Sequence, residues 1–215
     1  MQDSQAAIRH LRRADPVMAK LIGRVGEFQL KLERNRFKML ARSIISQQIS
    51  TAAARSIRGR LEALVAPKHL TAETVARLSR EQLRSAGLSP QKSEYLHALA
   101  AAVTGRTLRL DQATRMTDDE LIDHLTAVKG IGRWTAQMFL IFSLGRPDVF
   151  PHADLGVRSA IQHLYGLAEL PDRDTSFAVA EPWRPYATAA SWYLWRSLDL
   201  RKLEAAAKPR ATAKP

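Results

Sequence analysis

Apolar residues recur three and four positions apart along most of the chain, the spacing that places them on one face of an α-helix. No run of alternating β-branched residues indicates a strand, and the helix-favouring residues Ala, Leu, Arg, Gln and Glu dominate the sequence. Helix starts are indicated by capping-box spacing at Ser79-x-x-Gln82 and Thr117-x-x-Glu120, and by Asp15-Pro16 and Ser89-Pro90. The pattern predicts an all-α protein with about ten helices.

Composition restricts the class of protein and of partner. The 215 residues, 46% of them hydrophobic, are enough to bury a real core, and a formal charge of +12 favours a polyanionic partner such as nucleic acid. The absence of cysteine excludes disulfides, thiol catalysis and cysteine-ligated zinc or iron–sulfur clusters. No segment has a signal-peptide pattern or approaches the roughly 20 apolar residues that span a bilayer, so we expect no membrane partner and a reducing compartment.

A short glycine-containing segment, Lys129-Gly130-Ile131-Gly132, separates two amphipathic patterns. Glycine permits positive φ and close backbone approach, and the helix that follows begins with free N–H groups that suit a phosphate. From these residues alone, an ordinary glycine-capped turn between helices is the more frequent structure. The basic residues Lys129 and Arg133 favour the phosphate-binding alternative, and Ile131 is expected to hold the two helices together.

Four segments in order resemble a known family. Residues 125–161, which contain VKGIGRWTA and PHADLGV, resemble the signature of helix-hairpin-helix (HhH-GPD) DNA glycosylases, in the 3-methyladenine DNA glycosylase II branch. The other three are IISQQISTAAARSI at 44–57, AGLSPQKSEYLHALA at 86–100 and WRPY with WYLWR within 183–196. Their joint occurrence is far more specific than a single G-x-G turn.

The resemblance implies an architecture. It implies two helical lobes with the active site in the cleft between them. One lobe is expected at residues 36–146 and contains the helix-hairpin-helix at about 118–144. Residues 1–35 and 147–205 are expected to form the second lobe, which carries the catalytic aspartate, and residues 206–215 a basic flexible tail.

The resemblance also implies the reaction centre. A base inside a duplex must be rotated out of the stack before its glycosidic bond can be attacked. Asp154 matches the family's catalytic aspartate, and a carboxylate near a helix N-terminus can stabilise charge developing on the sugar or orient a water. On local grounds alone, Asp154 is equally suited to cap a helix. Asp148 is expected to be structural.

Aromatic residues indicate the type of reaction and the walls of the base pocket. In relatives that also cleave the strand, the position of Trp134 carries a lysine that forms a Schiff base, so this chain is expected to lack β-lyase activity. Trp134 and Trp195 match walls of the family pocket, where cationic alkylated purines can stack on electron-rich rings. Met138 stands where some members have an aromatic ring. Trp183 and Trp192 are expected in the core.

The remaining site predictions concern DNA. In SQQIS, Gln48 aligns best with the wedge that fills the space left by the flipped base, with Gln47 beside it, although such polar pairs are usually helix caps. Contacts to the DNA backbone are expected from Gly130, Gly132, Arg133 and Lys129 in the hairpin, and from Gly87, Ser89 and Lys92 in a second turn. A simple capped turn is about as frequent at the second position. Ala187 stands where the family commonly has arginine.

The resemblance therefore implies a monofunctional DNA glycosylase of base excision repair. It is expected to hydrolyse the N-glycosidic bond of 3-methyladenine, with 7-methylguanine and ethenoadenine as further candidates, and to leave an abasic site. The alternatives are a non-catalytic module that binds distorted DNA and a glycosylase for deaminated bases. The expected partner is double-stranded DNA containing alkylated bases, bound by a monomer, in the cytoplasm of a bacterium or the nucleus of a eukaryote. No cofactor is required and no metal ligands are assigned, while the resemblance implies a monovalent cation in the hairpin.

Overall fold

The computed structural model describes residues 4–207, and this part of the chain contains twelve α-helices and no β-strand. They are α1 (Ser4–Ala14), α2 (Pro16–Val25), α3 (Arg36–Ser46), α4 (Thr51–Val65), α5 (Ala72–Ala76), α6 (Arg80–Ser85), α7 (Pro90–Thr104), α8 (Asp118–Thr126), α9 (Arg133–Phe139), α10 (Leu155–Leu164), α11 (Arg173–Ala180) and α12 (Ala187–Ala207). Short 3₁₀ segments occupy Leu110–Arg115 and Glu181–Trp183, and a π-helical turn, Leu140–Leu144, extends α9. The predicted all-α class is confirmed.

The predicted capping residues begin their helices. Ser79 and Thr117 form complete capping boxes with Gln82 and Glu120 at the starts of α6 and α8. Asp15 accepts hydrogen bonds from the first two free backbone N–H groups of α2. Because these side chains satisfy N–H groups that lack a partner inside the helix, the local sequence is sufficient to fix these boundaries.

The described chain folds as two compact units. Lys31–Leu144 form one, which we call the hairpin unit, and the residues up to Leu30 together with those from Gly145 form the other, the aspartate unit. The hairpin unit begins before residue 36, the predicted boundary, because the Glu33 N–H donates to Phe142 O (2.8 Å) and Glu33 Oε2 pairs with Arg42 (2.8 Å). The predicted placement of the active site between the lobes stays a prediction.

In the hairpin unit, α3 is the central helix and packs against α4, α7 and α9. Its residues Leu40, Ile44 and Ile45 are completely buried, as is Phe139 on α9. The helix that follows the glycine turn is therefore supported by a rigid core.

In the aspartate unit, α12 packs against α2 and α10. Trp183 is completely buried, and its Nε1 donates to Asp15 Oδ2 (2.8 Å), which also accepts from the Tyr165 hydroxyl. Trp192 packs edge-on against Phe28. Trp183 thus belongs to the core, as expected, and the partly buried Trp192 packs against it.

The end of the chain departs from the predicted tail. Helix α12 continues to Ala207, so the first two residues of the predicted 206–215 tail are helical. Residues 208–215 lie outside the described part. Within residues 4–207, every helix falls short of the length or the apolar character that a membrane-spanning segment needs.

Candidate DNA interface and active site

The turn between α8 and α9 requires glycine at one of its two glycine positions. Gly130 has φ +91°, and a Cβ there would lie 2.2 Å from Cγ of the Tyr95 ring. Gly132 is different, because its φ of −95° suits any residue and the space around it is open. Gly132 is exposed at the start of α9, and among the described residues no side chain caps this helix. The backbone N–H groups of α9 are thus placed as an anion site would require.

Ile131 and Lys129 have different surroundings in the same turn. Ile131 is 4% exposed, and its N–H donates to Val128 O (3.0 Å), so it holds the hairpin together as predicted. The Lys129 ammonium pairs with Glu94 (2.6 Å), and this hydrogen bond raises the pKa of Lys129. Both side chains are solvent-exposed, and such pairs contribute little to stability, so Lys129 can exchange Glu94 for a phosphate.

The segment between α3 and α4 contains two glutamines, Gln47 and Gln48, which have different surroundings. Gln48 is exposed and has φ +54°, a left-handed conformation that points to a constrained loop. The Gln47 amide instead donates to Gly130 O and Thr135 Oγ1, both at 3.1 Å. The Gln47 amide thus fastens this segment to the hairpin turn, and its predicted place beside the wedge stays a prediction. Gln48 remains the wedge candidate.

Lys92 has a structural role that the sequence prediction missed. Its Nζ donates to Ile45 O and Gln47 O, both at 2.7 Å, at the carboxyl end of α3. Burial lowers the pKa of Lys92. The ammonium satisfies two carbonyls at the end of α3, and the predicted contact of Lys92 with the DNA backbone stays a prediction. Lysine commonly occupies such a position because of the negative end of the helix dipole.

The second predicted DNA turn is a capped turn in the protein. Gly87 ends α6 with φ +94°, and a Cβ there would lie 2.5 Å from Arg60 Nη2. Arg60 Nε donates to Ala86 O (2.8 Å), and Ser89 caps α7. These contacts explain Gly87 and Ser89 locally, and their contact with DNA stays a prediction.

A cavity of about 280 Å³ lies in the hairpin unit beside α9. Its apolar lining includes Trp134, Met138, Phe142 and Met39. Both residues that the sequence placed in a base pocket on α9 therefore line one cavity. Its size suits a planar ring system in contact with the indole.

Asp154 is held from two directions. It caps α10, and its Oδ1 accepts hydrogen bonds from the Val157 N–H and from Trp195 Nε1, both at 2.9 Å. The helix N-terminus and the indole dipole both interact favourably with the carboxylate. The capping role and the predicted catalytic role are thus compatible, and Trp195 has a positioning contact besides its predicted place in the pocket wall.

Gly156 adjoins the candidate aspartate and is missing from the residues predicted from the sequence. A Cβ at this position would lie 3.0 Å from Asp154 Oδ1, 3.3 Å from Trp195 Cδ1 and 3.3 Å from Leu198 Cδ1. The absence of a side chain therefore permits the close approach of the indole to the carboxylate. The available signal was a glycine two residues after the candidate aspartate, inside the first helical turn.

Asp148 has the structural role expected of it. Its Oδ2 accepts from Arg184 Nε (3.0 Å), and its Oδ1 accepts from the Ala187 N–H (3.3 Å) at the start of α12. Ala187 is 2% exposed. The family commonly has an arginine at position 187, where this chain has alanine. Here the guanidinium that binds Asp148 comes from Arg184.

Residues 41–185 match the model of the HhH-GPD superfamily base excision DNA repair proteins. The chain belongs to the HhH-GPD superfamily. The predicted family is thereby confirmed.

Relatives of this HhH-GPD protein share nearly its whole length. It is 33% identical over 195 residues to DNA-3-methyladenine glycosylase 1 of Schizosaccharomyces pombe, covering 90% of this chain and 86% of the relative. It is 30% identical over 210 residues to the alkylbase DNA glycosidase-like protein mag2 of the same yeast, covering 93% and 96%.

Two solved structures have the same fold as this HhH-GPD protein. The first is S. pombe 3-methyladenine DNA glycosylase (Mag1) in complex with abasic DNA, with a TM-score of 0.86, 33% identity, and coverage of 90% of this chain and 97% of that one. The second is the DNA-3-methyladenine glycosidase of Bacillus halodurans, with a TM-score of 0.77, 36% identity and coverage of 92% and 91%.

The predicted site residues of this HhH-GPD protein are distributed over both units. Gln48, the hairpin turn, Trp134 and Met138 belong to the hairpin unit, and Asp154 and Trp195 to the aspartate unit. Between residues 4 and 207, no group of three or more His, Asp or Glu side chains is placed to hold a metal ion.

Proposed function

We propose that this protein is a monofunctional DNA glycosylase that releases alkylated purines from double-stranded DNA, the first step of base excision repair. The observation that carries the proposal is Asp154, whose Oδ1 is held by both α10 and Trp195. The names of the relatives support the substrate class, because the S. pombe and B. halodurans proteins are both called 3-methyladenine enzymes. The S. pombe structure with abasic DNA supports DNA as the partner, and we propose that a monomer binds it as a duplex.

In the proposed reaction, the hairpin turn binds the DNA backbone and Gln48 fills the space of the rotated nucleotide. Gly132 leaves the first turn of α9 accessible to phosphate, and Arg133 beside it is exposed and cationic. Gln48 projects from a segment that Gln47 fastens to the same turn. The wedge and the phosphate site are therefore fixed relative to each other within the hairpin unit.

The chemistry is hydrolysis at C1′ of the deoxyribose. The C1′–N bond breaks, its electron pair passes to the cationic base, and the base departs as a neutral molecule without a general acid. The Asp154 carboxylate stabilises the positive charge that forms on the sugar. A water oxygen then bonds to C1′, and its proton is lost to the carboxylate or to solvent. This scheme requires no metal or redox cofactor, and the hairpin cation stays a prediction.

The lack of lyase activity follows from Trp134. An indole cannot form a Schiff base with the C1′ aldehyde, so the abasic strand remains intact. Trp134 instead offers an electron-rich face to a cationic ring, an interaction worth about 1–2 kcal/mol when desolvated. We propose 3-methyladenine as the main substrate, and 7-methylguanine and ethenoadenine as further substrates.

Asp154→Asn tests the proposal. The asparagine Oδ1 can still accept from Val157 and Trp195, so the fold and DNA binding should be retained while the negative charge is lost. We expect 3-methyladenine release to fall by at least about a hundredfold, the scale for loss of one preorganised electrostatic group. The matched control is Asp111→Asn, at an exposed carboxylate of the hairpin unit, with unchanged release. Equal release by Asp154→Asn and wild type would refute the mechanism.

A further inference from the structure

Arg58 lines the same cavity as Trp134 and Met138. It lies on α4 and is half-buried. Within the described part of the chain, the Arg58 guanidinium has no hydrogen bond and no ion pair. An arginine in such surroundings normally has a carboxylate or phosphate partner, because burial of its charge costs free energy.

The carboxylates near Arg58 are already used by other cations. Glu33 Oε2 pairs with Arg42 Nη1 (2.8 Å), and Glu62 Oε1 pairs with both Lys38 Nζ and Arg42 Nη2 (3.1 Å each). Burial alone would raise the pKa of Glu62, but the hydrogen bonds from Lys38 and Arg42 outweigh it and lower the pKa. Glu62 thus remains an anion paired with Lys38 and Arg42, and among the described residues it attracts Arg58 without forming an ion pair with it.

The electrostatic surroundings of Arg58 indicate an external partner. Burial lowers the pKa of Arg58, repulsion from Arg42 adds to this effect, and the attraction to Glu62 offsets only part of it. A guanidinium nevertheless stays protonated in proteins. Lys31, Arg42 and Arg58 line the cavity against a single lining carboxylate, Glu33, so its polar side attracts negative charge.

We propose that Arg58 binds an oxygen acceptor of the extrahelical nucleotide whose base stacks on Trp134. This inference rests on the proposed function. Ser46 also lines the cavity and immediately precedes Gln47 and Gln48, so the cavity adjoins the wedge segment along the chain. The guanidinium can donate hydrogen bonds to either of two oxygen acceptors. One is a backbone phosphate oxygen, and the other is the O6 carbonyl of an alkylated guanine.

The two possible oxygen acceptors predict different effects of Arg58 on the release of different bases. Every substrate nucleotide carries the phosphate, whereas 7-methylguanine has O6 and 3-methyladenine has an amino group there. A phosphate contact therefore assists both lesions equally and adds to the salt dependence of binding. An O6 contact assists only 7-methylguanine.

The experiment compares Arg58→Met with Arg77→Met, which removes the same charge from an exposed site that does not line the cavity. Single-turnover release of both bases is measured, together with binding to a duplex containing an abasic-site analogue over a range of salt concentrations. Because Arg58 has no hydrogen bond or ion pair within residues 4–207, Arg58→Met should melt close to the wild-type temperature. Arg58→Lys keeps the positive charge but lacks the planar guanidinium, so it should recover part of any lost base release. It replaces Arg58→Met in the assays if Arg58→Met is less stable than the wild type.

For a phosphate contact we expect release of both bases to fall at least about tenfold, in line with one charge-assisted hydrogen bond, and the salt slope to fall by about one. For an O6 contact we expect the same fall for 7-methylguanine alone and an unchanged slope. Equal behaviour of Arg58→Met and Arg77→Met, or a loss confined to 3-methyladenine, would overturn the inference. If wild-type protein released neither base, the proposed function would fail, and the salt slope would still decide whether Arg58 binds phosphate.

Discussion

At Asp154, one carboxylate oxygen accepts two hydrogen bonds from different helices. The Val157 N–H belongs to the first turn of α10, and Trp195 Nε1 comes from α12. Because the two donors approach the same atom, the carboxylate cannot rotate without losing at least one bond. Such preorganisation lets a charge act on the transition state without a cost of reorganisation during the reaction.

Gly156→Ala should disturb this arrangement with little change elsewhere. The added methyl group would lie 3.0 Å from Asp154 Oδ1 and 3.3 Å from Trp195 Cδ1, so the carboxylate or the indole must move. A displacement of about 1 Å at a reaction centre can lower a rate about a hundredfold. Because a smaller displacement is sufficient here, we expect the rate of base release to fall about tenfold. DNA binding should be unchanged. Single-turnover release and binding assays measure the two quantities.

Gly23→Ala is the matched control for this variant. Gly23 lies inside α2 of the same unit, and a Cβ there meets nothing within 4 Å. The change should leave release unaltered and stabilise the helix by about 0.5–1 kcal/mol. If Gly156→Ala behaved like Gly23→Ala in the release assay, Gly156 would have no positioning role.

At the scale of elements, the loop between α3 and α4 is held by contacts from distant parts of the hairpin unit. The Gln47 amide binds the turn before α9, and Lys92 from α7 binds the carbonyls at the end of α3. Gln48 thus projects from a loop whose neighbours are fixed. A wedge on such a support loses little conformational entropy when it enters DNA.

Gln47→Ala and Gln48→Ala should therefore differ. Gln47→Ala removes two hydrogen bonds and should lower the free energy of unfolding by about 1–3 kcal/mol, with a lower rate of base release. Gln48→Ala, at an exposed side chain, should lower the rate and leave stability unchanged. Denaturant unfolding and single-turnover release separate the two. An unchanged stability of Gln47→Ala would contradict the anchoring role.

The contacts within and between helices also show which structural features a sequence can predict. Capping boxes at Ser79 and Thr117 depend on residues three positions apart, so the sequence alone predicts them. The contacts of Gln47 and Lys92 join residues 83 and 45 positions apart, and no local pattern contains them. The same is true of Gly130, whose need for glycine comes partly from the distant Tyr95 ring.

At the scale of the whole molecule, buried tyrosines limit stability at high pH. Tyr193 has no exposed surface, and its hydroxyl donates to Gly26 O (3.0 Å). Burial raises the pKa of Tyr193 from 10.0 to about 12. A pKa raised in the folded state contributes stability below the unfolded pKa, and this contribution is lost as the pH rises through the folded pKa.

The free energy of unfolding should therefore decline as the pH rises from 10 to about 12. Tyr193→Phe removes the ionisable hydroxyl, so its stability should decline less steeply over this interval, although it loses one hydrogen bond at neutral pH. Denaturant unfolding at several pH values measures both slopes. Parallel slopes for the wild type and Tyr193→Phe would show that Tyr193 does not titrate on unfolding.

Product analysis of the wild-type protein tests the central claim most directly. A duplex carrying 3-methyladenine is incubated with the protein, free base is quantified, and the strand is examined before and after treatment with alkali. The proposed function predicts free 3-methyladenine and a strand that breaks only after alkali, because Trp134 cannot perform lyase chemistry. Failure to release the base, or strand cleavage without alkali, would contradict a monofunctional alkylpurine glycosylase.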